Sequence, residues 1–255
     1  MALVFFGCAY FSAAVIYAVV VEFPTSFWVR ARAFSASMLS PMGTLFALFV
    51  VFTAAQVWTD NDQATVAVDR EASALRNVLI LATAFPGKSR GQLEALIHSH
   101  VEEAATKEWP QMAHRSLTLG NTPHDLVEAL QLALTLTPNS SGQEIAQREL
   151  VIALESALDA RRQRVLISHS AVSFVKWACL VIQAVCVLIA IALSHGDKRP
   201  AGLVAMGLFA TGAGACFLLI GLYDRPFTGQ FSVKADPLLQ IAPEVARVPP
   251  GALSQ

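Results

Sequence analysis

The chain has 255 residues, of which 55% are hydrophobic and only 15% are charged, and its formal net charge is −1. An average soluble domain carries roughly 25% charged residues, so the composition indicates a membrane protein whose partner is the lipid bilayer. A net charge this close to zero, without a basic surface, argues against nucleic acid as a partner.

Four apolar windows are each long enough to cross about 30 Å of hydrocarbon. They form two pairs with short connectors, and a long stretch of ordinary polarity separates the pairs. We therefore predict an all-α fold: a four-span helical membrane protein with a cytosolic helical bundle between spans 2 and 3. The windows are Ala2–Val21, Ser40–Val57, Ala171–Ser194 and Ala201–Tyr223.

The predicted domains follow these windows. Residues 1–57 form the first transmembrane helix pair, 58–168 the cytosolic helical region, 169–223 the second transmembrane pair, and 224–255 a cytosolic tail. The first window lacks a preceding basic residue and exceeds the usual signal-peptide core, which favours a retained span. An even number of spans places both termini and the middle region on one side of the cell membrane, and we expect that side to be cytoplasmic. The basic residues near the helix ends do not decide the side.

The second span is expected to leave the membrane as a single helix. No Gly or Pro occurs between Gly43 and Pro86, and apolar residues beyond Trp58 recur at three- and four-residue spacing. The first connector, Glu22–Ser37, is expected to separate spans 1 and 2.

Three further helices are predicted in the middle region. One covers Arg90–Glu108 and ends near Pro110. A second runs to Leu136, with Thr122 as N-cap and Pro123 at its first position. The third, Gln143–Ser168, is expected to run straight into the third span.

The second span carries a face of small residues and a bulkier ridge of Leu45, Leu48, Phe49 and Phe52. In one interpretation, the small residues let helices approach while the phenyl rings contact lipid. In the other, one face lines a hydrophobic constriction that gates a pore by dewetting. Two interpretations also remain for Lys176 in the third span, which either snorkels to the interface or lines a pore.

No catalytic or cofactor motif was found. The six histidines and four cysteines do not show metal-ligand spacing, and there is no Gly-rich phosphate loop. We therefore predict no enzyme activity, no metal and no cofactor. The cysteines are expected to act as small buried hydrophobic residues.

Three motifs carry a family resemblance. They are Trp58-x-x-Asn61-Asp62-x-Ala64 leading to Glu71-Ala72, then Glu108-Trp109-Pro110, and finally Asp224-Arg225-Pro226-Phe227-x-Gly229. With these, the chain resembles the bestrophin-like family over nearly its whole length. The last motif is similar to the Asn-Pro-Phe-Gly element that follows the final span of bestrophins.

The resemblance implies kinship with pentameric anion channels that have four spans per subunit, cytosolic termini and a pore lined by the second helix. It thus implies a homo-oligomer, with five copies as the suggested number. The pore-lining candidates are Thr44, Leu45, Leu48, Phe49 and Phe52, and the anion-attracting candidates at the mouth are Arg30 and Arg32. A basic interface anchor is the competing interpretation of the two arginines.

Two features depart from the family pattern. Bestrophin second spans carry bulky apolar residues four apart, whereas the register set by Pro41 places Ser40, Thr44 and Leu48 there, and only Leu48 is bulky. The calcium-binding acidic cluster of animal bestrophins has no counterpart near Asp224, so calcium activation is not implied. The alternative function is a non-conducting, membrane-anchored helical scaffold or sensor that binds a cytosolic partner.

Overall fold

The computed structural model describes residues 1–22, 26–195, 199–229 and 231–241, without the side chains of 26, 27 and 29–38. Within these ranges every regular element is a helix, as predicted. The α-helices are α1 (Ala2–Tyr17), α2 (Ser26–Ala82), α3 (Lys88–Glu103), α4 (Trp109–Ala113), α5 (His124–Thr135), α6 (Ser141–Ser168), α7 (Phe174–Ser194), α8 (Arg199–Tyr223) and α9 (Asp236–Leu239). Two π-helical turns, Ala18–Glu22 and Ala104–Glu108, extend α1 and join α3 to α4.

Four helices are long and apolar enough to cross a membrane. Their mean hydropathies are 2.2, 1.6, 2.5 and 2.2 in chain order, and they are Ala2–Glu22, Leu39–Ala82, Phe174–Ser194 and Arg199–Tyr223. This confirms the predicted all-helical, four-span membrane fold.

The chain divides into two compact units. The membrane unit comprises Met1–Thr59 and Ala171–Asp224, and the bundle unit comprises Asp60–Ser170 and Arg225–Gln255. These units are defined by internal contacts, whereas the domains proposed from the sequence follow the expected membrane surface, so that division stays a prediction.

Helix α2 begins earlier than expected. It is continuous from Ser26 to Ala82 and contains Pro41, so most of the predicted connector Glu22–Ser37 is helical. The sequence from residue 26 to 40 contains no Gly or Pro, and its three Ala and two Arg are good helix formers. The polar residues of this segment suggested a connector, but its helix propensity favours the helix that the structure shows.

The expected continuous helix from the bundle into the third span is wrong. Helix α6 ends at Ser168, and α7 begins only at Phe174, after Ser173 adopts an extended backbone. The Ser173 hydroxyl accepts a hydrogen bond from the Lys176 amide at 3.4 Å and so caps α7. The amide of Val172 donates to Asp224 Oδ1 at 2.6 Å, which fixes the break within the membrane unit.

One helix start and one helix end in the bundle unit also differ by small amounts from the prediction. Helix α5 begins at His124, because Pro123 has a non-helical ψ of 87° and acts as N-cap in place of Thr122. The helix predicted over Arg90–Glu108 continues through a π-helical turn into α4, because Pro110 lies in the first turn of α4 and is tolerated there.

Glycines allow α1 and α8 to pack closely in the membrane unit. A Cβ atom on Gly221 would lie 2.7 Å from the Phe5 ring, and one on Gly214 would lie 3.0 Å from the Phe6 ring. Small residues of this kind let membrane helices approach each other closely. All four cysteines are free, but Cys8 is exposed and the other three are only partly buried, so the expectation of buried cysteines is wrong for Cys8 and holds only in part for the others.

The bundle unit has its own apolar core. The predicted stripe of α2 is buried at Ala64, Val68, Ala72, Leu75 and Ala82, while Leu79 is only partly buried. Leu93, Ile97 and Val101 of α3 are fully buried beside it, which confirms the amphipathic reading of both helices.

Candidate functional site

A cluster of charged side chains is buried inside the bundle unit. It brings together Glu71 of α2, His100 of α3, Glu108 of the second π-helical turn, and Arg161 and Arg164 of α6. All five are at most 6% exposed, and Glu71 and Arg164 are completely buried. Fully buried charges are rare unless they are paired, so the geometry of the pairs determines whether the cluster is stable.

Arg164 lies at the centre of the cluster and links two carboxylates. Its Nε donates to Glu71 Oε2 at 2.7 Å, and its Nη2 donates to Glu71 Oε1 at 3.0 Å and to Glu108 Oε2 at 2.9 Å. The guanidinium carbon also lies 4.8 Å from the centre of the Trp109 ring, a cation–π contact. The contact with Glu71 is bidentate, which is the strongest type of hydrogen bonding between a guanidinium and a carboxylate.

Arg161 and His100 complete the cluster. Arg161 donates from Nε to Glu108 Oε1 at 2.8 Å and from Nη2 both to that oxygen and to the Asn121 carbonyl. His100 Nε2 lies 3.0 Å from Glu71 Oε1. An ionised carboxylate only accepts hydrogen bonds, so Nε2 carries the hydrogen. In the cluster, two carboxylates therefore face two guanidiniums.

The pairing shifts the ionisation of both acids. Burial alone would raise the pKa of Glu71, but the Arg164 charge and the hydrogen bonds from His100 and Arg164 outweigh it and lower the pKa to about 2. Burial likewise opposes ionisation of Glu108, and Arg164 and Arg161 lower its pKa below the ordinary value. Burial disfavours the charged form of Arg164, yet Glu71 and Glu108 raise its pKa. The acids and the arginine therefore hold their charges inside the protein.

The segment after the last span packs against this cluster through Trp109. The Phe227 ring meets the Trp109 ring edge-on with centroids 5.8 Å apart, and Trp109 Nε1 donates to the Val233 carbonyl at 3.1 Å. Gly229 has a φ of 98°, a conformation that side-chain-bearing residues rarely adopt. This glycine lets the chain turn back so that Phe227 and Val233 both reach Trp109.

Three of the predicted pore-lining residues, Leu45, Leu48 and Phe52, occupy the side of α2 that faces away from the rest of the membrane unit. Phe46, Val50, Thr53 and Val57 form the face that packs against the rest of this unit. Leu48 and Phe52 each lie two residues beyond a packing residue, about 200° around the helix, and therefore face the opposite way. Leu45, Leu48 and Phe52 are 60%, 50% and 66% exposed.

The other predicted pore-lining and mouth residues do not share this exposed apolar stripe. Thr44 is exposed, and its hydroxyl donates to the Ser40 carbonyl at 3.0 Å. Phe49 is partly buried and packs against the core of the membrane unit. The side chains of Arg30 and Arg32, the predicted mouth residues, lie outside the described residues.

Comparison with known proteins identifies the family. A family model described as "Bestrophin-like domain" matches residues 7–238. The protein belongs to the bestrophin-like family. The expectation drawn from the three motifs is thereby confirmed.

Solved structures share the bestrophin-like fold at low sequence identity. A bacterial bestrophin homologue from Klebsiella pneumoniae has a TM-score of 0.69 at 11% identity, with 94% of this chain and 98% of that chain covered. A substituted form of a K. pneumoniae homologue has a TM-score of 0.67 at 12% identity, covering 92% and 98% of the two chains. A structure described as a membrane protein has a TM-score of 0.70 at 12% identity, covering 97% and 100%. The search of curated proteins found no match.

The bestrophin-like motifs contribute to both units. In the bundle unit, four motif residues converge at the charged cluster: Glu71, Glu108, Trp109 and Phe227. Gly229 shapes the turn after them, and Pro226 is buried beside Phe227.

In the membrane unit, the Trp58 ring stacks on the Tyr223 ring with centroids 6.2 Å apart, and Asp224 accepts a hydrogen bond from the Val172 amide. The remaining motif residues are Pro110 in the first turn of α4, partly buried Asn61, and exposed Asp62 and Arg225.

Sequence reasoning missed His100, Arg161 and Arg164. His100 lies in register with buried Leu93, Ile97 and Val101 on α3, and the two arginines lie on the apolar stripe of α6. A charged residue on an apolar stripe is a signal for a buried partner. The histidines had been considered only as metal ligands, and the arginines only as basic residues near helix ends that bear on membrane orientation.

The cluster is suited to holding helices together. Its acids and guanidiniums are mutually paired, and no group of three His, Cys, Asp or Glu among the described residues could hold a metal ion. Its geometry links α2, the π-helical turn before α4, and α6 through one guanidinium. The arrangement therefore fixes the position of the bundle half of α2.

Proposed function

We propose that this bestrophin-like membrane protein forms a homo-oligomeric, anion-permeable channel in which α2 lines the pore. The observation that carries the proposal is the outward stripe of Leu45, Leu48 and Phe52, which lies opposite the packing face of α2. The family match over residues 7–238 supports it. The activity is passive conduction, without catalysis or cofactor.

In an oligomer, each copy of α2 would present the same stripe to the central axis. Rings of Leu48 and Phe52 side chains would form a hydrophobic constriction, and such constrictions gate by dewetting. Thr44, one turn before Leu48, would face the same passage, while partly buried Phe49 would support the constriction from behind. Five copies is the number that kinship with bestrophins suggests.

We place the protein in the cell membrane with both termini and the bundle unit in the cytoplasm. Four spans put these parts on the same side. The start of α2, which contains Arg30 and Arg32, then lies on the other side. The two arginines would concentrate anions at that mouth by electrostatic focusing. In this arrangement residues 58–168 form the wall of a cytoplasmic vestibule, which the buried charged cluster holds in place.

Halide flux into liposomes tests the proposal. Phe52→Ala should change the flux several-fold, because it removes the largest side chain of the exposed stripe. Phe11→Ala is the matched control, since Phe11 of α1 is 71% exposed and Phe52 is 66% exposed. Equal flux in the two variants, or no flux from well-folded protein, would count against the channel.

A second candidate function is a non-conducting scaffold whose bundle unit binds a partner protein. A groove of about 410 Å³ between α2 and α6 favours it, lined by charged Arg70 and Glu149 and by exposed Ile80 and Ile152. Mass photometry in nanodiscs separates the two functions. A ring of copies supports the channel, and a monomer without flux supports the scaffold.

A further inference from the structure

The membrane unit contains an apolar slot that its own side chains do not fill. The slot has a volume of about 240 Å³ and lies between α1, α7 and α8. Small side chains form much of its wall, including Ala9, Ala184, Ala210 and Ala213. Apart from Cys8, Ser12 and the indole of Trp177, every lining side chain is hydrocarbon.

The slot is long, and three aromatic rings meet at one end of it. Its α7 wall extends from Trp177 to Leu188, which corresponds to about 16 Å of helix at about 1.5 Å per residue. At the Trp177 end, that ring stacks with Phe5 at 6.1 Å and meets Phe217 edge-on at 6.2 Å, measured between centroids. The shape suits a linear hydrocarbon chain that runs parallel to the spans.

The surroundings of the slot indicate what meets it. Val4 of α1 and Val181 of α7 line it and are themselves 65% and 48% exposed. Both belong to helices that are apolar enough to span a membrane, so the slot is continuous with the surface that faces lipid. Water does not fill such a space, since an apolar cavity of roughly 150 Å³ stays dry and takes up apolar guests.

We propose that this slot holds one acyl chain of a membrane phospholipid, seated between α1, α7 and α8. The chain would contact Trp177 at the aromatic end and the small side chains of Ala184 and Ala213 along the wall. The proposal does not depend on conduction, because the slot lies on helices other than α2.

Fluorescence quenching tests the proposal on the full-length protein in detergent. The probe is phosphatidylcholine with brominated acyl chains, because bromine quenches a nearby indole. The Trp177 signal is the difference between the protein and its Trp177→Phe variant. We expect saturable quenching of this signal as the brominated lipid is added.

Variants that fill the slot should weaken this quenching. Ala213→Leu narrows it from α8 and Ser12→Leu from α1, so one variant remains informative if the other does not fold. Each should reduce the saturable quenching at least threefold. Ala215→Leu is the matched control, because Ala215 lies on the exposed side of α8, and its quenching should be unchanged. Equal quenching in folded filled variants and the control, or quenching that never saturates, would overturn the proposal.

Discussion

Removal of the Arg164 guanidinium should destabilise the bundle unit strongly. The change Arg164→Met keeps a long side chain but leaves Glu71 with His100 as its hydrogen-bonding partner and Glu108 with Arg161. Breaking a buried ion pair by removing one partner costs about 3–5 kcal/mol, because a buried charge is left uncompensated. For a chain of this size, about 2–4 °C in Tm corresponds to each kcal/mol, so the drop should be on the order of 10 °C.

The assay is thermal unfolding in detergent, followed by intrinsic tryptophan fluorescence. Arg162→Met is the matched control, because Arg162 is exposed on the same helix, two residues away. Its Tm should stay within about 2 °C of the parent protein, as expected for a surface charge. The double variant Glu71→Gln with Arg164→Met should be less destabilised than the sum of its single variants, because the two groups interact directly. If Arg164→Met matched Arg162→Met, the cluster would not support the bundle.

Three further predictions concern pH and glycine. The pKa of Glu71 is lowered from 4.5 to about 2, so its ionised form stabilises the folded state above pH 4.5, and roughly 3 kcal/mol should be lost as the pH falls toward 2. The difference in Tm between the parent protein and Glu71→Gln, measured across that range, should shrink, and a constant difference would contradict the assignment. Gly229→Ala should lower the free energy of unfolding by about 1 kcal/mol, because Gly229 has a φ of 98° that alanine rarely adopts. Gly91→Ala is the control and should not lower it, because Gly91 lies inside a helix with open space around it. Gly221→Ala should lower the Tm by several degrees, because the new Cβ would lie 2.7 Å from the Phe5 ring. Gly207→Ala is the control, because a Cβ on Gly207 meets open space. Equal Tm values for the two variants would refute close packing between Gly221 and Phe5.

Periodicity and hydropathy were sufficient for the membrane spans and for the two helices of the bundle core. The Ala64–Ala82 stripe could be predicted because local spacing determines which face of a helix is apolar. The break between Ser168 and Phe174 could not, because residues 169–173 contain neither Gly nor Pro. A hydrogen bond from Val172 to Asp224, far away in the sequence, fixes that break.

The charged cluster was only partly accessible from the sequence. Glu71, Glu108 and Trp109 were identified through the family motifs, without a physical role. Their partner Arg164 lies 93 residues from Glu71, and spacing within one helix carries no information about such a pair. The direction of the Leu45, Leu48 and Phe52 stripe also required the structure, because the packing face through Phe46 and Val50 was not evident from residue size.

The pore assignment of α2 is tested most directly by thiol modification during halide flux. In a background where the four native cysteines are replaced by serine, Phe52→Cys places one thiol on the exposed stripe and Phe11→Cys places one on the exposed side of α1. The account predicts that a charged methanethiosulfonate reagent blocks or alters flux in liposomes containing Phe52→Cys and leaves Phe11→Cys unchanged. Unchanged flux after complete modification of Phe52→Cys would contradict it.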